Sequence, residues 1–272
     1  MLKKLMKHEL RATSRMMLPA LLFVLAAAVG GNISINRLLE ADSAVFSTIG
    51  GFLIVVYTAS VMAACILAFV LMIQRFYQNL LQDEGYLMLT LPVSVHAHIL
   101  SKLLVSLIWW YAVAAAGLFS LFILVFNLDL VREVWTILSN LHFHDLTFEA
   151  NPLHIVFYLL ELWLMLTAGL AYISLLLYAS MAAGHSFSRH KGILSVVIAF
   201  FVLNFALHAL QYGAALLVNL AGLDGLLRLF AGFAPPVQNH LELLGVTGLI
   251  LIPCAAFYAL TAYCLKNRLN LG

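Results

Sequence analysis

The stretch SAVFSTIGGFLIVVYTASVMAACILAFVLMIQ, residues 43–74, runs without a single charged side chain. About 20 apolar residues suffice for a helix to cross the hydrocarbon of a bilayer, so this run spans it once with length to spare. The same test applied outward finds uncharged intervals at 16–36, 103–128, 192–223 and 243–265, and one at 150–188 that only Glu161 interrupts. Each is long enough for one span and too short for two, which makes six. Runs such as LFILVF at 121–126 do not alternate apolar with polar residues, as a lipid-facing β-barrel strand would. The segment 229–241 is short and holds Pro235, Pro236, Gln238 and His240, so it reads as a loop or a partly inserted piece.

Composition agrees with that count. Of 272 residues, 64% are hydrophobic and 10% charged, and the mean hydropathy is +1.03. A soluble domain carries roughly 25% charged residues, so the solvent of this surface is lipid. The net charge of +2 gives no footing for nucleic acid, and the apolar excess excludes a disordered chain. Cys65, Cys254 and Cys264 all fall inside spans and are expected to be small buried apolar residues, without a disulfide or zinc spacing.

Six spans place both termini on one side, and the basic residues choose the side. With the amino terminus inside, eleven cations are cytoplasmic: Lys3, Lys4, Lys7, Arg11, Arg15, Arg75, Lys102, Arg189, Lys191, Lys266 and Arg268. Only Arg37, Arg132 and Arg228 lie outside. The basic start followed by Ala26-Ala27-Ala28 has the look of a secretory signal, but five further spans argue against cleavage there.

Residues 2–17 form a distinct pattern. Leu2, Leu5, Met6, Leu10, Thr13 and Met17 recur at helical spacing, while Lys3, Lys4, Lys7, His8, Arg11, Ser14 and Arg15 fill the opposite face. An amphipathic helix lying in the membrane interface is expected, with Pro19 marking the turn or kink into the first span. The fold class is therefore an all-α integral membrane protein of six transmembrane helices with an N-terminal interfacial amphipathic helix. The whole of 1–272 is read as one transmembrane domain, with spans at about 17–36, 45–73, 103–128, 153–183, 193–218 and 243–265. Between them lie a cytoplasmic loop at 74–102 and broken outer helices at 219–242, where Gly222, Gly225, Gly232, Pro235 and Pro236 cluster.

In the 74–102 loop, Phe76, Tyr77, Leu80 and Leu81 give one apolar face of a helical extension, Asp83-Glu84-Gly85 interrupts it, and Leu91-Pro92 breaks the chain. Ser94 is placed to cap the helix that enters span three. Apolar residues beside an acidic pair on the cytoplasmic side call for either a partner surface or an interfacial hairpin. The shorter inner loop GHSFSRHKG, 184–192, is a tight basic connection, and Val131, Val134, Trp135 and Leu138 form an outer amphipathic stripe.

No phosphate loop of the form G-x-x-x-x-G-K-[ST] and no H-E-x-x-H occurs, so neither ATP hydrolysis nor zinc hydrolysis by those routes is expected. His96 with His98, and His142 with His144 and Asp145, are too sparse for a metal site by themselves. Glu161 is an intramembrane carboxylate, roughly 12 Å below the outer boundary of its span at the helical rise of 1.5 Å per residue. Asn204, His208 and Gln211 form a stripe on span five, with Asn204 and His208 at a similar depth. Glu161, Asn204, His208 and Gln211 are open to three readings: hydrogen bonds gluing helices together, a polar cavity, or a proton relay. Trp109-Trp110-Tyr111 are read as packing.

The stretches LKKLMKHELRATSRMMLP, 2–19, and DEGYLMLTLPVS, 83–94, resemble the corresponding segments of small bacterial type-2 ABC exporter permeases. The first is similar to that family's connecting helix, the second to its first cytoplasmic loop; together they cover about thirty residues. The resemblance implies a non-enzymatic permease subunit in the inner (cytoplasmic) membrane, paired with a second permease, the same or related, and with two copies of a separate ABC ATPase. ATP and Mg would be held by that ATPase, with no cofactor on this chain. The family's coupling helix maps onto Asp83, Glu84, Gly85, Tyr86, Leu91 and Pro92. Peptide antibiotics, drugs or lipid-like molecules are the cargo class the resemblance suggests. The competing expectation is a proton-coupled secondary transporter using Glu161 and His208, disfavoured by the lack of an inverted repeat.

Overall fold

The computed structural model describes residues 2–38, 43–81, 93–126, 136, 152–187, 193–220 and 235–267. It is all helical across these: α1 Leu2–Ile33 with a π-helical turn Ser34–Leu38, α2 Ala44–Leu81, α3 Val95–Val125, α4 Pro152–Phe187, α5 Ile193–Leu220 and α6 Pro235–Asn267. Six helices are long and apolar enough to cross a membrane, over Leu2–Leu38, Ala44–Leu81, Val95–Val125, Leu153–Ser186, Leu194–Leu217 and Pro236–Asn267. The chain is a multi-pass membrane protein by that measure. Large apolar side chains point outward along all six, Phe205 at 76% exposure among them, as lipid-facing residues do.

Two expectations about element boundaries change. Residues 2–17 are not set apart from the first span, because α1 continues through Pro19 to Ile33 and is itself a candidate span. Its two-faced pattern is real, but the apolar face meets protein: Thr13 and Met17 are buried and Leu2, Leu5, Met6 and Leu10 half-buried, while Lys3, Lys4, Lys7, His8, Arg11 and Arg15 are exposed. At the other end, residues 235–242 belong to the last helix rather than to a broken outer segment. Proline suits the first turn of a helix, whose amides lack intrahelical partners, so Pro235 and Pro236 open α6 instead of excluding it. Residues 219–220 close α5, and 221–234 lie outside the described residues.

The chain divides into two compact units, Met1–Met72 with Leu104–Thr147, and Ile73–Leu103 with Phe148–Gly272. In the first, Met17 of α1, Ala68 and Leu71 of α2 and Val113 of α3 form a core, with Leu21, Cys65, Leu67 and Trp109 packed around it. Polar pairs fasten the same helices. Trp109 Nε1 donates to Thr13 Oγ1 at 2.7 Å, and the Tyr57 and Ser120 hydroxyls meet at 3.1 Å. Asn32 Nδ2 reaches the carbonyls of Leu124 at 3.1 Å and Phe126 at 2.7 Å, satisfying oxygens left open where α3 ends. Trp109 is thus a packing residue with its one polar atom used.

In the second unit α4 packs against both α5 and α6. Phe76 stacks on Tyr178 with centroids 4.1 Å apart and planes at 8°, so the end of α2 lies on α4. Phe76, Leu80 and Leu81 are buried, so this apolar face, for which a partner surface or an interfacial hairpin was expected, is covered within the chain. His96 Nδ1 and Tyr258 Oη are 2.8 Å apart, tying the start of α3 to α6. Ser94 caps α3 as its position suggested: Ala97 N bonds its carbonyl at 2.9 Å and its Oγ at 3.3 Å.

α4 and α5 approach each other closely at Gly184. A Cβ there would stand 2.8 Å from the Ser195 carbonyl oxygen and from Val196 N and Cα, all main-chain atoms that cannot swing away. Gly184→Val is expected to force the helices apart and lower stability by about 1–3 kcal/mol, read as a fall in the melting temperature of the detergent-solubilised protein. Gly169→Ala, on α4 with open space around it, should leave that temperature unchanged or raise it.

Candidate functional site

Helical spacing lines up three residues on α4. His154, Tyr158 and Glu161 stand at i, i+4 and i+7, so they share a face. On α6, Pro236 and His240 are one turn apart and face them. His240 Nδ1 lies 2.8 Å from Glu161 Oε2, and His240 Nε2 lies 2.9 Å from His154 Nδ1. The His240 and Glu161 side chains are 15% and 12% exposed. Tyr158 lies flat against the His240 ring, centroids 4.1 Å apart and planes at 18°, and its hydroxyl donates to the Pro236 carbonyl at 3.0 Å. Phe157 meets the same imidazole edge-on at 6.3 Å.

For an ionised Glu161 and neutral imidazoles, one arrangement of protons satisfies every contact. With Glu161 ionised, it only accepts, so His240 donates from Nδ1. A neutral His240 then has only a lone pair on Nε2, and His154 must donate to it from Nδ1. The result is a directed chain from His154 through His240 to Glu161. A carboxylate within an apolar span is thereby partnered, where unpaired it would be costly. Tyr158 holds the middle ring between its own face and the first turn of α6.

The residues singled out from sequence are distributed unevenly around this chain. Glu161 is its acceptor end. Asn204 is half-buried and bonds the Phe200 carbonyl of its own helix at 3.0 Å. His208 and Gln211 are exposed on α5, and no hydrogen bond joins either to Glu161 among the described residues. Asp83, Glu84, Gly85, Tyr86, Leu91 and Pro92 lie outside the described residues, as do Val131, Val134, Trp135 and Leu138, and His142, His144 and Asp145. No group of three or more His, Cys, Asp or Glu side chains is arranged to hold a metal ion among the described residues.

Sequence reading missed His154 and His240. The signal for His154 was its seven-residue separation from Glu161, two turns along one face. For His240 the signal was masked by Pro235-Pro236, which read as a loop and removed the histidine from the helical register. Glu161 is also not alone: α1 contains Glu9 and α6 contains Glu242, the latter exposed.

His240→Ala is expected to lower thermal stability by about 1.5–3 kcal/mol, the range for a hydrogen bond to a charged group, because it strands the Glu161 carboxylate. The double substitution His240→Ala with Glu161→Leu should recover part of that loss by removing the stranded charge; a double variant less stable than the single one contradicts the pairing. Compared with known proteins, the chain matches no protein family, no curated protein and no solved structure.

Proposed function

We propose that this chain is the permease subunit of an ATP-driven ABC exporter, working with a second permease and two copies of a separate ATPase. One observation carries the reading. The two helix ends that frame residues 82–92 are each fastened to the bundle, the end of α2 to α4 through Phe76 and Tyr178 and the start of α3 to α6 through His96 and Tyr258. A push delivered to that connection would pass into α4 and α6 as a rigid movement rather than dissipating in a slack loop. The resemblance of 2–19 and 83–94 to the exporter permeases supplies the pushing partner, an ATPase engaging Asp83, Glu84, Gly85, Tyr86, Leu91 and Pro92.

The need for a second permease is supported by α5. None of its apolar 18-residue stretch is buried, yet it carries His208 and Gln211 exposed with Asn204 half-buried beside them. Lipid cannot satisfy those groups, so they belong against another chain or along an aqueous path. An apolar groove of about 460 Å³ between α4 and α5, lined by Ala183, Ile198, Ala199 and Val202 with Leu260 of α6, suits a cargo bearing hydrocarbon. The distribution of cations, eleven of fourteen on one side, orients both termini to the cytoplasm of an inner-membrane protein. The alternative of a proton-coupled secondary transporter using Glu161 and His208 draws support from the carboxylate–imidazole chain, although His208 stands apart from it.

Asp83→Ala with Glu84→Ala is expected to weaken ATPase association about tenfold or more, equivalent to 1.4 kcal/mol. Copurification and ATP-dependent transport in vesicles read this directly. Unchanged association and transport, or pumping by the chain alone without ATP, sinks the proposal. Gln211→Cys is expected to form a disulfide-linked pair of chains on oxidation if the second permease is identical.

A further inference from the structure

We propose that His154, His240 and Glu161 form a proton relay that carries a proton from the end of the bundle where α4 and α6 begin to the carboxylate of Glu161. His154 lies in the first turn of α4, two residues from its start at Pro152, and is half-buried, so it is the end nearer the helix terminus and water. Glu161 lies about two turns deeper. Between them the 2.9 Å and 2.8 Å contacts are continuous, and the middle imidazole uses both of its nitrogens.

The transfer balances atom for atom. In the starting state His154 Nδ1–H donates to His240 Nε2, and His240 Nδ1–H donates to ionised Glu161. A proton arrives on the lone pair of His154 Nε2. The His154 Nδ1 proton passes to His240 Nε2, and the His240 Nδ1 proton passes to Glu161 Oε2. Afterwards Glu161 is a neutral acid donating to His240 Nδ1, His240 Nε2–H donates to His154 Nδ1, and His154 carries its proton on Nε2. One proton has entered and one carboxylate has been discharged. Every hydrogen bond has reversed direction and none has been lost, so no gap in the contacts opposes the passage. If Glu161 then releases its proton elsewhere, both imidazoles are left in the reversed tautomer and must reset before a second proton can pass.

The groups that face His240 are accounted for. From α4 they are His154, Tyr158 and Glu161; on α6 itself Glu242, two residues on, is exposed. α5 packs on α4, and its His208 is exposed without a hydrogen bond to any of the three among the described residues. Tyr158 is a positioning residue: its ring pins the His240 plane while its hydroxyl is engaged by Pro236. The inference goes beyond the transport reading and does not depend on an ATPase.

The full chain reconstituted in vesicles tests it by infrared difference spectroscopy after a rapid change from about pH 8 to pH 5, the range in which imidazole exchanges its proton. The expected result is a protonated-carboxyl band that Glu161→Gln removes. In His154→Ala the band should reach the same final height but appear about a hundredfold more slowly, the low end of what a positioned proton-transfer group supplies. Free imidazole added to the buffer should restore the rate. If His154→Ala disturbs folding, His154→Gln keeps a side chain that hydrogen-bonds but passes no proton and should give the same slow band. A band that Glu161→Gln leaves in place, or one that appears at the wild-type rate in both His154 variants, overturns the relay. Acidifying one face of the vesicle at a time separates this from the orientation argument. A fast response from the cytoplasmic face supports the relay and overturns the orientation.

Discussion

Lipid offers no hydrogen bonds, and every polar atom within a span must find its partner in the protein. The backbone meets that demand by being helical throughout the described spans. Side chains meet it locally: Thr13, Ser60, Ser174, Ser180, Thr247 and Thr261 are buried, and Thr13, Ser180, Thr247 and Thr261, for example, bond a carbonyl one turn back on their own helix. The few groups too long or too polar for that solution reach another helix. Trp109 finds Thr13, Tyr57 finds Ser120, Asn32 finds the end of α3, and Glu161 finds His240. These cross-helix bonds give register to surfaces that are otherwise smooth leucine, alanine and phenylalanine, for which many sliding arrangements have similar energy.

The same demand explains why α5 differs from the rest. Among the described residues His208 and Gln211 of α5 are exposed, whereas Asn204 bonds a carbonyl of its own helix and Glu161 of α4 meets His240 of α6. The joined ends of α2 and α3 present the complementary case. Each is held in the second unit, the end of α2 by a stacked ring pair and the start of α3 by an imidazole–phenol contact.

Charge gaps made the six spans legible in the sequence, because the absence of charge over 20 residues has no other common cause. The apolar side of residues 2–17 was legible for the same reason, through its period. What covers that side was not, since a helical stripe reads alike whether it meets lipid or Trp109 and Val113. Pro19 and Pro235 misdirected the boundaries because proline's rule is positional: α1 runs on through Pro19, and at the first turn of α6 no amide is missed. Glu161 announced itself as a lone carboxylate. Its partner did not, because contact between residues 79 positions apart depends on how α4 and α6 pack, which no local pattern encodes.

α2 has 38 residues, about 57 Å of helix, against a hydrocarbon layer of about 30 Å. The surplus is continuous with the span rather than divided from it by a turn. A helix built this way meets a thicker or thinner bilayer by changing its tilt or by letting a different section occupy the hydrocarbon, without melting either end. Phe76 holds one end of α2 against α4, while Tyr57 meets the Ser120 hydroxyl and the Gly50 carbonyl accepts from Ser34, so α2 is fastened at several levels along its length. A helix with that surplus takes up a mismatch with the bilayer by inclination at little cost before it gives up helical turns.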